Sequence, residues 1–261
     1  MKTFALIALA GAASAHSTDW KFMEYVAEFN KQYHSVEEFV FRAAEWAKKE
    51  EFILAHNSDA TNTHIVGHNH LSDWTHEEYK VLLGYHPELR TEEREPTPYT
   101  PTNSTGVNWV EKGAVTPVKD QGSCGSCWSF STTGALEGAH QIATGDLVSY
   151  SESQFVDCDY GLLKNMGCNG GLMDKAFKYA ESTAITTEEN YPYVAKKQSC
   201  DKSKLEGATL KVSSYADVTK NDPEALKAQL EKGPVSVAIE ADKMVFQQYT
   251  SGVITGSACG T

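Results

Sequence analysis

The segment from Gln121 to Trp128, which reads Gln-Gly-Ser-Cys-Gly-Ser-Cys-Trp, constrains this chain more than any other. It leads into a helical pattern over residues 125–143 that stops at Gly145. Cys127 is therefore expected in the first helical turn, where free backbone amides and the helix dipole lower a thiol pKa by less than about one unit. Gln121 is close enough to donate its side-chain amide to an oxyanion, together with the Cys127 N–H group. The segment predicts a cysteine nucleophile.

A Cys-x-x-Cys pair is also found in redox proteins and in zinc sites, so both remain as minor alternatives for Cys124 and Cys127. The redox hypothesis lacks a surrounding strand–helix–strand pattern. The zinc hypothesis lacks a second Cys-x-x-Cys or His-x-x-x-His motif downstream. Both require Cys124 and Cys127 to be free thiols at the same time. Trp128 is expected to pack in the core.

The first residues predict a signal peptide over residues 1–15, with Lys2, an apolar run and the small-residue triplet that ends at Ala15. The apolar run is shorter than the roughly 20 residues that span a bilayer, and no other stretch is longer. We expect a monomer in the secretory pathway, either in a lysosome-like acidic vacuole or outside the cell, where six cysteines can form disulfides. The net charge of -12 argues against nucleic-acid binding. Asn103 begins a potential glycosylation triplet.

Residues 16–91 are charged and helical in pattern. Ser35 with Glu38, and Thr75 with Glu78, form capping boxes that predict two helix starts. The first of these helices carries an apolar seam, and an earlier helix is expected before it. The seam consists of Phe39, Ala43, Trp46, Ile53 and Asn57, and the earlier helix has Asp19 as its cap and Phe22, Tyr25, Val26 and Phe29 on its apolar side.

Residues 92–106 contain three prolines and no apolar periodicity, which predicts an exposed linker that a protease can cut. Beyond it, a helix is predicted over residues 172–182, and another begins at Asp222-Pro223. Strand-like runs cover residues 208–218 and 235–239. Eight of the nine histidines precede the linker. Solvated surface groups are the simplest interpretation of four of them, with a zinc cluster or a pH sensor as alternatives. These four are His64, His68, His70 and His76.

These motifs together resemble the precursor of a papain-like cysteine protease of the cathepsin L type, over almost the whole chain. The Cys-Gly-Ser-Cys-Trp run matches the local signature of that nucleophile. Lys49 and Leu71 depart from the family's pro-segment pattern, where Asn and Phe are usual. The matching pro-segment positions are Glu38, Arg42, Trp46, Ile53, Asn57, Gly67, Asn69 and Asp73, and the matching later segments are residues 113–119 and 167–171.

The resemblance implies an α+β fold with two domains, a helical left domain and a right β-barrel domain that is incomplete in residues 107–261. Residues 16–91 would be an inhibitory pro-segment that lies across the cleft in the reverse direction to a substrate, and residues 92–106 an activation linker. Cys127 and Gln121 would be catalytic. No cofactor and no metal are implied, and the substrates would be proteins or peptides.

The resemblance also assigns the binding residues and the disulfides. Gly170 and Gly171 would let the substrate backbone approach closely. Leu172, Met173 and Ala238 would line a pocket for a bulky apolar residue two places before the cut. The implied disulfides join Cys124 to Cys168 and Cys158 to Cys200.

The catalytic histidine of such enzymes has no counterpart in this sequence. His140 is the only histidine after Cys127, and on a continuous helix it would lie about 20 Å away and near the opposite face. In the family, the catalytic histidine and its asparagine follow a segment like residues 257–261. The partner of the family's cysteine at position 259 lies beyond that histidine, so Cys259 would be unpaired. A polypeptide of these 261 residues is expected to lose roughly a millionfold in activity. The alternative function is a non-enzymatic, pro-segment-type inhibitor of related proteases.

Overall fold

The structure is a computed structural model that describes residues 20–92, 94–162 and 164–255. The predicted signal peptide, Asp19 and Cys259 lie outside the described residues. The chain forms two compact units, Met1–Lys80 with Ile239–Thr261 as unit 1 and Val81–Ala238 as unit 2. The helices are α1 (residues 20–28), α2 (Val36–Ser58), α3 (His76–Lys80), α4 (Cys127–Thr144), α5 (Glu152–Cys158), α6 (Met173–Ser182), α7 (Pro223–Leu230) and α8 (Met244–Gln247), and the strands are β1 (His64–Val66) and β2 (Tyr249–Gly252).

The long helix α2 begins where the capping box predicts. The Ser35 hydroxyl accepts a hydrogen bond from the Glu38 backbone N–H at 3.1 Å, and the Glu38 carboxylate accepts one from His34 N–H at 2.8 Å. Its apolar seam packs on α1, because Trp46 and Phe22 are buried and their ring centroids lie 5.7 Å apart. The predicted seam is therefore the core of unit 1.

Strands β1 and β2 pair antiparallel, with Ile65 opposite Ser251. The strand β1 is also fixed to α2, because Asn57 donates to Val66 C=O at 2.8 Å and accepts from its N–H at 3.1 Å. The second capping box forms at α3, where the Thr75 hydroxyl accepts from Glu78 N–H at 3.1 Å. Among the described helices, none combines the length and the apolar character that a bilayer crossing requires.

In unit 2, helix α4 packs against α5 and α6. It ends at Gly145, whose φ of 89° is the left-handed conformation that glycine adopts without cost. Trp128 is fully buried, and its indole N–H donates to Gly167 C=O at 3.2 Å. The predicted packing role of Trp128 is confirmed. The remaining buried members of this core include Leu136, Tyr150, Phe155, Val156, Met173, Ala176, Ala180 and Ile185.

The two predicted strands over residues 208–218 and 235–239 are wrong. In the first run only Leu210 is paired, through an isolated antiparallel bridge to Ile185. The second run is extended without a strand partner among the described residues, and Val237 is 54% exposed. Alternating apolar residues favour an extended backbone, but a strand also requires a neighbour with which to pair. The described residues are helix-rich with few strands, which is consistent with the predicted α+β fold class.

Two of the four histidines interpreted as surface groups are covered in the structure. His64 is 4% exposed, and the His68 ring stacks on Trp46 with centroids 4.6 Å apart. His68 also contacts the Glu50 carboxylate at 3.0 Å. The solvated interpretation is therefore wrong for His64 and His68. Within the described part of the chain, no group of three or more histidine, cysteine or acidic residues is arranged to hold a metal ion.

Candidate active site

Cys127 is the first residue of α4, as predicted. Burial raises the pKa of the Cys127 thiol, and the backbone N–H groups of Gly84, Trp128 and Cys127 itself favour the thiolate without reversing that shift. The expected lowering of that pKa is therefore wrong for this closed arrangement. The helix dipole by itself lowers the pKa of the thiol, but burial of the sulfur has a larger effect in the opposite direction.

Gln121 lies beside the nucleophile. Its Nε2 donates to the Cys124 carbonyl oxygen at 2.8 Å and to the Leu82 carbonyl oxygen at 3.0 Å. The Gln121 amide therefore already binds a carbonyl oxygen from residues 81–90, which we name the strap. An amide donor that holds a carbonyl oxygen next to a thiol is arranged as one half of an oxyanion hole.

The strap is held against the glycine-rich loop before α6. Gly171 N–H donates to Gly84 C=O at 2.8 Å, and His86 N–H donates to Gly171 C=O at 2.9 Å. Tyr85 and Gly171 form an isolated parallel bridge. A Cβ atom at Gly84 would lie 2.1 Å from the Gly125 carbonyl oxygen, so only glycine fits there. A Cβ atom at Gly170 would lie 2.2 Å from the His86 ring. Gly170 and Gly171 thus let a chain approach closely.

A cavity of about 730 Å³ opens beside the strap in unit 2. Met173 and Ala238, two of the three predicted pocket residues, lie on its wall, and Tyr85 of the strap lines it as well. Leu172 is instead 1% exposed and borders a smaller neighbouring cavity. Ala135 and Phe177 extend the apolar wall, and Asp174 and Asp217 add acidic groups to it.

Both disulfides that the resemblance implies are present. Cys124 is bonded to Cys168 and Cys158 to Cys200, with Cα–Cα distances of 4.6 and 4.8 Å. Cys127 is the free cysteine among the described residues. Because Cys124 is bonded to Cys168, Cys124 and Cys127 are not both free thiols. The redox and zinc hypotheses need both thiols free, so the structure contradicts them.

Neither described histidine of unit 2 is arranged as a base for Cys127. His140 lies near the far end of α4, with its ring 5.7 Å from that of Tyr150. His86 lies in the strap, but its ring nitrogens contact the Glu88 carboxylate at 2.6 Å and the Asn169 carbonyl oxygen at 3.1 Å.

The sequence did not predict a buried ionic cluster next to the nucleophile. Lys119 Nζ lies 2.7 Å from a carboxylate oxygen of both Glu137 and Glu152, which are each 1% exposed or less. Glu188 lies against this cluster, and burial raises its pKa to about 7. A small cavity of about 270 Å³ is lined by Lys119, Glu137 and Cys127 together. No local pattern signals such a cluster, because a lone glutamate on a helix is usually solvated.

Tyr193 is a second residue that the sequence did not indicate. Its hydroxyl lies 2.5 Å from the hydroxyl of Ser126, the N-cap of α4, and donates to the Gln121 carbonyl oxygen at 2.8 Å. It therefore ties the residue before the nucleophile to the backbone of Gln121. Ser126 and Tyr193 are separated by 67 positions, which explains why no spacing rule could reveal this contact.

Two domain families match this chain. Residues 103–261 match the papain family cysteine protease domain, and residues 22–79 match the cathepsin propeptide inhibitor domain. A digestive cysteine proteinase of Homarus americanus is 38% identical over 100% of this chain and 82% of its own length. A probable cysteine protease of Arabidopsis thaliana is 42% identical over 91% of this chain, which covers 53% of that protein. The chain thus spans about half the length of several curated relatives that it matches.

Solved precursors are also similar. The proform of the ragweed pollen cysteine protease Amb a 11 superposes with a TM-score of 0.80 at 33% identity, over 92% of this chain and 75% of that one. A digestive procathepsin L from Tenebrio molitor gives a TM-score of 0.77 at 31% identity, over 93% and 80%.

Proposed function

Because the chain belongs to the papain family of cysteine proteases and has the papain-like fold with a pro-segment, we propose that it is the precursor of an endopeptidase with Cys127 as its nucleophile. One observation carries this proposal. The Leu82 carbonyl oxygen accepts from Gln121 Nε2 at 3.0 Å, and the nearby Gly84 backbone N–H group favours the Cys127 thiolate. A peptide chain thus already occupies the place where a peptide would react.

In the proposed reaction the Cys127 thiolate attacks the carbonyl carbon of the peptide bond. The oxygen of that carbonyl takes the position of the Leu82 oxygen, and Gln121 Nε2 and the Cys127 N–H stabilise its negative charge. Gly170 and Gly171 pair with the substrate backbone. The cavity with Met173 and Ala238 accepts an apolar side chain two places before the cut.

The proposed reaction also needs a base to remove the thiol proton and an acid to protonate the leaving amine. In this family a histidine does both. Neither described histidine of unit 2 is placed for this. Burial raises the pKa of the Cys127 thiol, which reduces the thiolate further in the closed state.

The strap inhibits because it occupies the donors that a substrate would use. Its Leu82 carbonyl oxygen accepts from Gln121 Nε2, and its Gly84 carbonyl oxygen accepts from Gly171 N–H. The precursor would therefore be closed by its own chain until the strap is released, and residues 92–106 would be the place of the cut. The two disulfides suit an oxidising compartment, either extracellular or vacuolar. We expect a monomer there, and Asn103 begins a potential glycosylation triplet.

The test uses a leucine-containing peptide aldehyde, which forms a reversible hemithioacetal with a cysteine and needs no turnover. The full chain is nicked in residues 92–106 to release the strap, and affinity is measured by competition. Gln121→Ala should weaken binding by roughly 10- to 100-fold, because one oxyanion donor is lost. Gln198→Ala, which changes an exposed glutamine elsewhere, is the matched control. Equal affinity in both variants, or binding to Cys127→Ser, would contradict the proposal.

A second candidate function is that of a non-enzymatic inhibitor, favoured by the match of residues 22–79 to an inhibitor domain. The Cys127→Ser full chain, which cannot cleave peptides, would then inhibit a cathepsin L-like enzyme at near-neutral pH. An enzyme that stays fully active with excess chain would exclude this function.

A further inference from the structure

Arg90, at the end of the strap, bridges two aspartates of unit 2. Its Nη1 lies 2.6 Å from Asp217 Oδ2 and its Nη2 lies 2.9 Å from Asp174 Oδ2. All three side chains are largely buried, with exposed fractions of 26% for Arg90, 22% for Asp174 and 21% for Asp217. The planar guanidinium uses a different nitrogen for each carboxylate, so both contacts form at hydrogen-bond distance.

Arg94 occupies a second arginine-binding arrangement beside the first. Its guanidinium lies 3.8 Å from the centroid of the Tyr215 ring and donates to the Tyr215 carbonyl oxygen at 3.4 Å. Tyr215 in turn stacks on Phe177 with ring centroids 5.4 Å apart. Tyr215, Phe177, Asp174 and Asp217 all line the 730 Å³ cavity. Arg90 therefore lines this cavity, and Arg94 contacts Tyr215, which is one of its wall residues.

We propose that Asp174, Asp217 and Tyr215 form a subsite for an arginine side chain, which Arg90 occupies in the precursor and an arginine of the substrate occupies after the strap is released. This inference rests on the proposed function, because the strap must leave for a substrate to enter. Asp174 follows Met173 directly in the sequence. The acidic groups therefore line the same cavity as Met173, which would contact the apolar side chain of the substrate.

The chemistry of the cavity suits arginine as a whole side chain. Its methylene groups can cover the apolar wall while the guanidinium reaches the carboxylates. The substrate class is therefore peptides that carry arginine, along with the apolar residue, within the few residues before the cut. Lys220 and Lys232 also line the cavity, so a general attraction of cations is not enough. Direct contacts of the guanidinium with Asp174 and Asp217 supply the attraction.

The test opens the subsite in the full chain. Arg90→Ala removes the occupant, and N-acetyl-arginine methylamide is added as the probe near pH 7. Its citrulline analogue has almost the same shape and no charge. At four times its Kd, a probe that binds only the folded chain raises the folding constant about fivefold. That change corresponds to a rise in Tm of roughly 2–4 °C. We expect this rise with the arginine probe, none with citrulline, and none in the parent chain.

Two further variants locate the effect. Asp217→Asn in the Arg90→Ala background should abolish the rise. Asp222→Asn should leave it intact, because Asp222 accepts from Tyr99 of the linker at 2.7 Å but does not line the cavity. If Arg90→Ala does not fold, Arg90→Gln serves as the opened variant.

Equal shifts with both probes, or no shift in either opened variant, would overturn the subsite. The assay needs neither Cys127 nor strap release. A negative result would therefore leave the proposed nucleophile untouched, whereas a failure of the aldehyde test would leave the arginine binding measurable.

Discussion

At the residue scale, the closed state depends on a few atoms around Gly84. The Gly84 N–H group donates to the Leu82 carbonyl oxygen at 3.0 Å, and the Gly84 carbonyl oxygen accepts from Gly171 N–H at 2.8 Å. The neighbouring Gly125 carbonyl oxygen leaves no space for a side chain. The sequence did not single out Gly84 as a site residue, because a glycine after a short helix is equally explained as a helix stop.

Gly84→Ala should therefore lift the strap from Cys127. The new methyl group would meet backbone atoms, which cannot rotate away as a side chain can. We expect alkylation of Cys127 by iodoacetamide to become at least about tenfold faster, since the local opening free energy falls by more than about 1.4 kcal/mol. Gly134→Ala is the control, because nothing lies within 4 Å of its added Cβ and alanine favours the α4 helix. Unchanged alkylation in Gly84→Ala would show that the strap does not cover the thiol.

At the element scale, the helices were predictable and the strands were not. The helix predicted over residues 125–143 is α4 (Cys127–Thr144), and that over residues 172–182 is α6 (Met173–Ser182). Caps, glycine stops and apolar periodicity are local, so the sequence contains them. A strand depends on a partner that is distant in sequence, and residues 208–218 have only the bridge at Leu210. Burial of His64 is likewise decided by packing between α2 and β1.

Acidification should weaken unit 1 through the histidines on its inner side. Burial lowers the pKa of His68 below its ordinary value, although Glu50 opposes this shift, and burial with nearby His56 lowers the pKa of His64. The unfolded chain then binds protons more readily, so stability is present above pH 6.5 and is lost as the pH falls below it. Urea unfolding followed by tryptophan fluorescence at pH 7.5 and 5.5 measures this loss.

His68→Gln should reduce the difference between the two pH values, because the group that gains a proton on unfolding is gone. His70→Gln, at an exposed position two residues away, is the control and should keep the full difference. An identical pH dependence in both variants would mean that His68 is not the group responsible.

At the scale of the whole molecule, the site is assembled by contacts between residues far apart in the sequence. Arg90 and Asp217 are 127 residues apart, and Ser126 and Tyr193 are 67 apart. The resemblance supplied the nucleophile, Gln121 and the disulfide pairs, because those follow from short motifs. The ionic cluster of Lys119 with Glu137 and Glu152 could not be predicted, since it requires knowledge of which elements pack together.

The two disulfides should contribute similarly to stability but differently to the site. They close loops with sequence separations of 44 and 42 residues, so removing either pair by Cys→Ser changes should cost about 4 kcal/mol of unfolding free energy. Only loss of Cys124–Cys168 should also change the alkylation rate of Cys127, because Gln121 donates to the Cys124 carbonyl oxygen. Urea titration and thiol labelling of the two double variants measure this. Equal labelling rates would argue against a role for Cys124–Cys168 in the site.

The parallel bridge between Tyr85 and Gly171 has a consequence for the timing of maturation. Because the strap occupies the donors beside Cys127, the proposed enzyme cannot cleave its own linker while the strap is in place, and the first cut would come from a different molecule. Maturation would then begin slowly in dilute samples and accelerate as finished molecules accumulate. The delay before the first activity would shorten as the precursor concentration rises. The strap would therefore make the rate of maturation depend on the concentration of the protein itself.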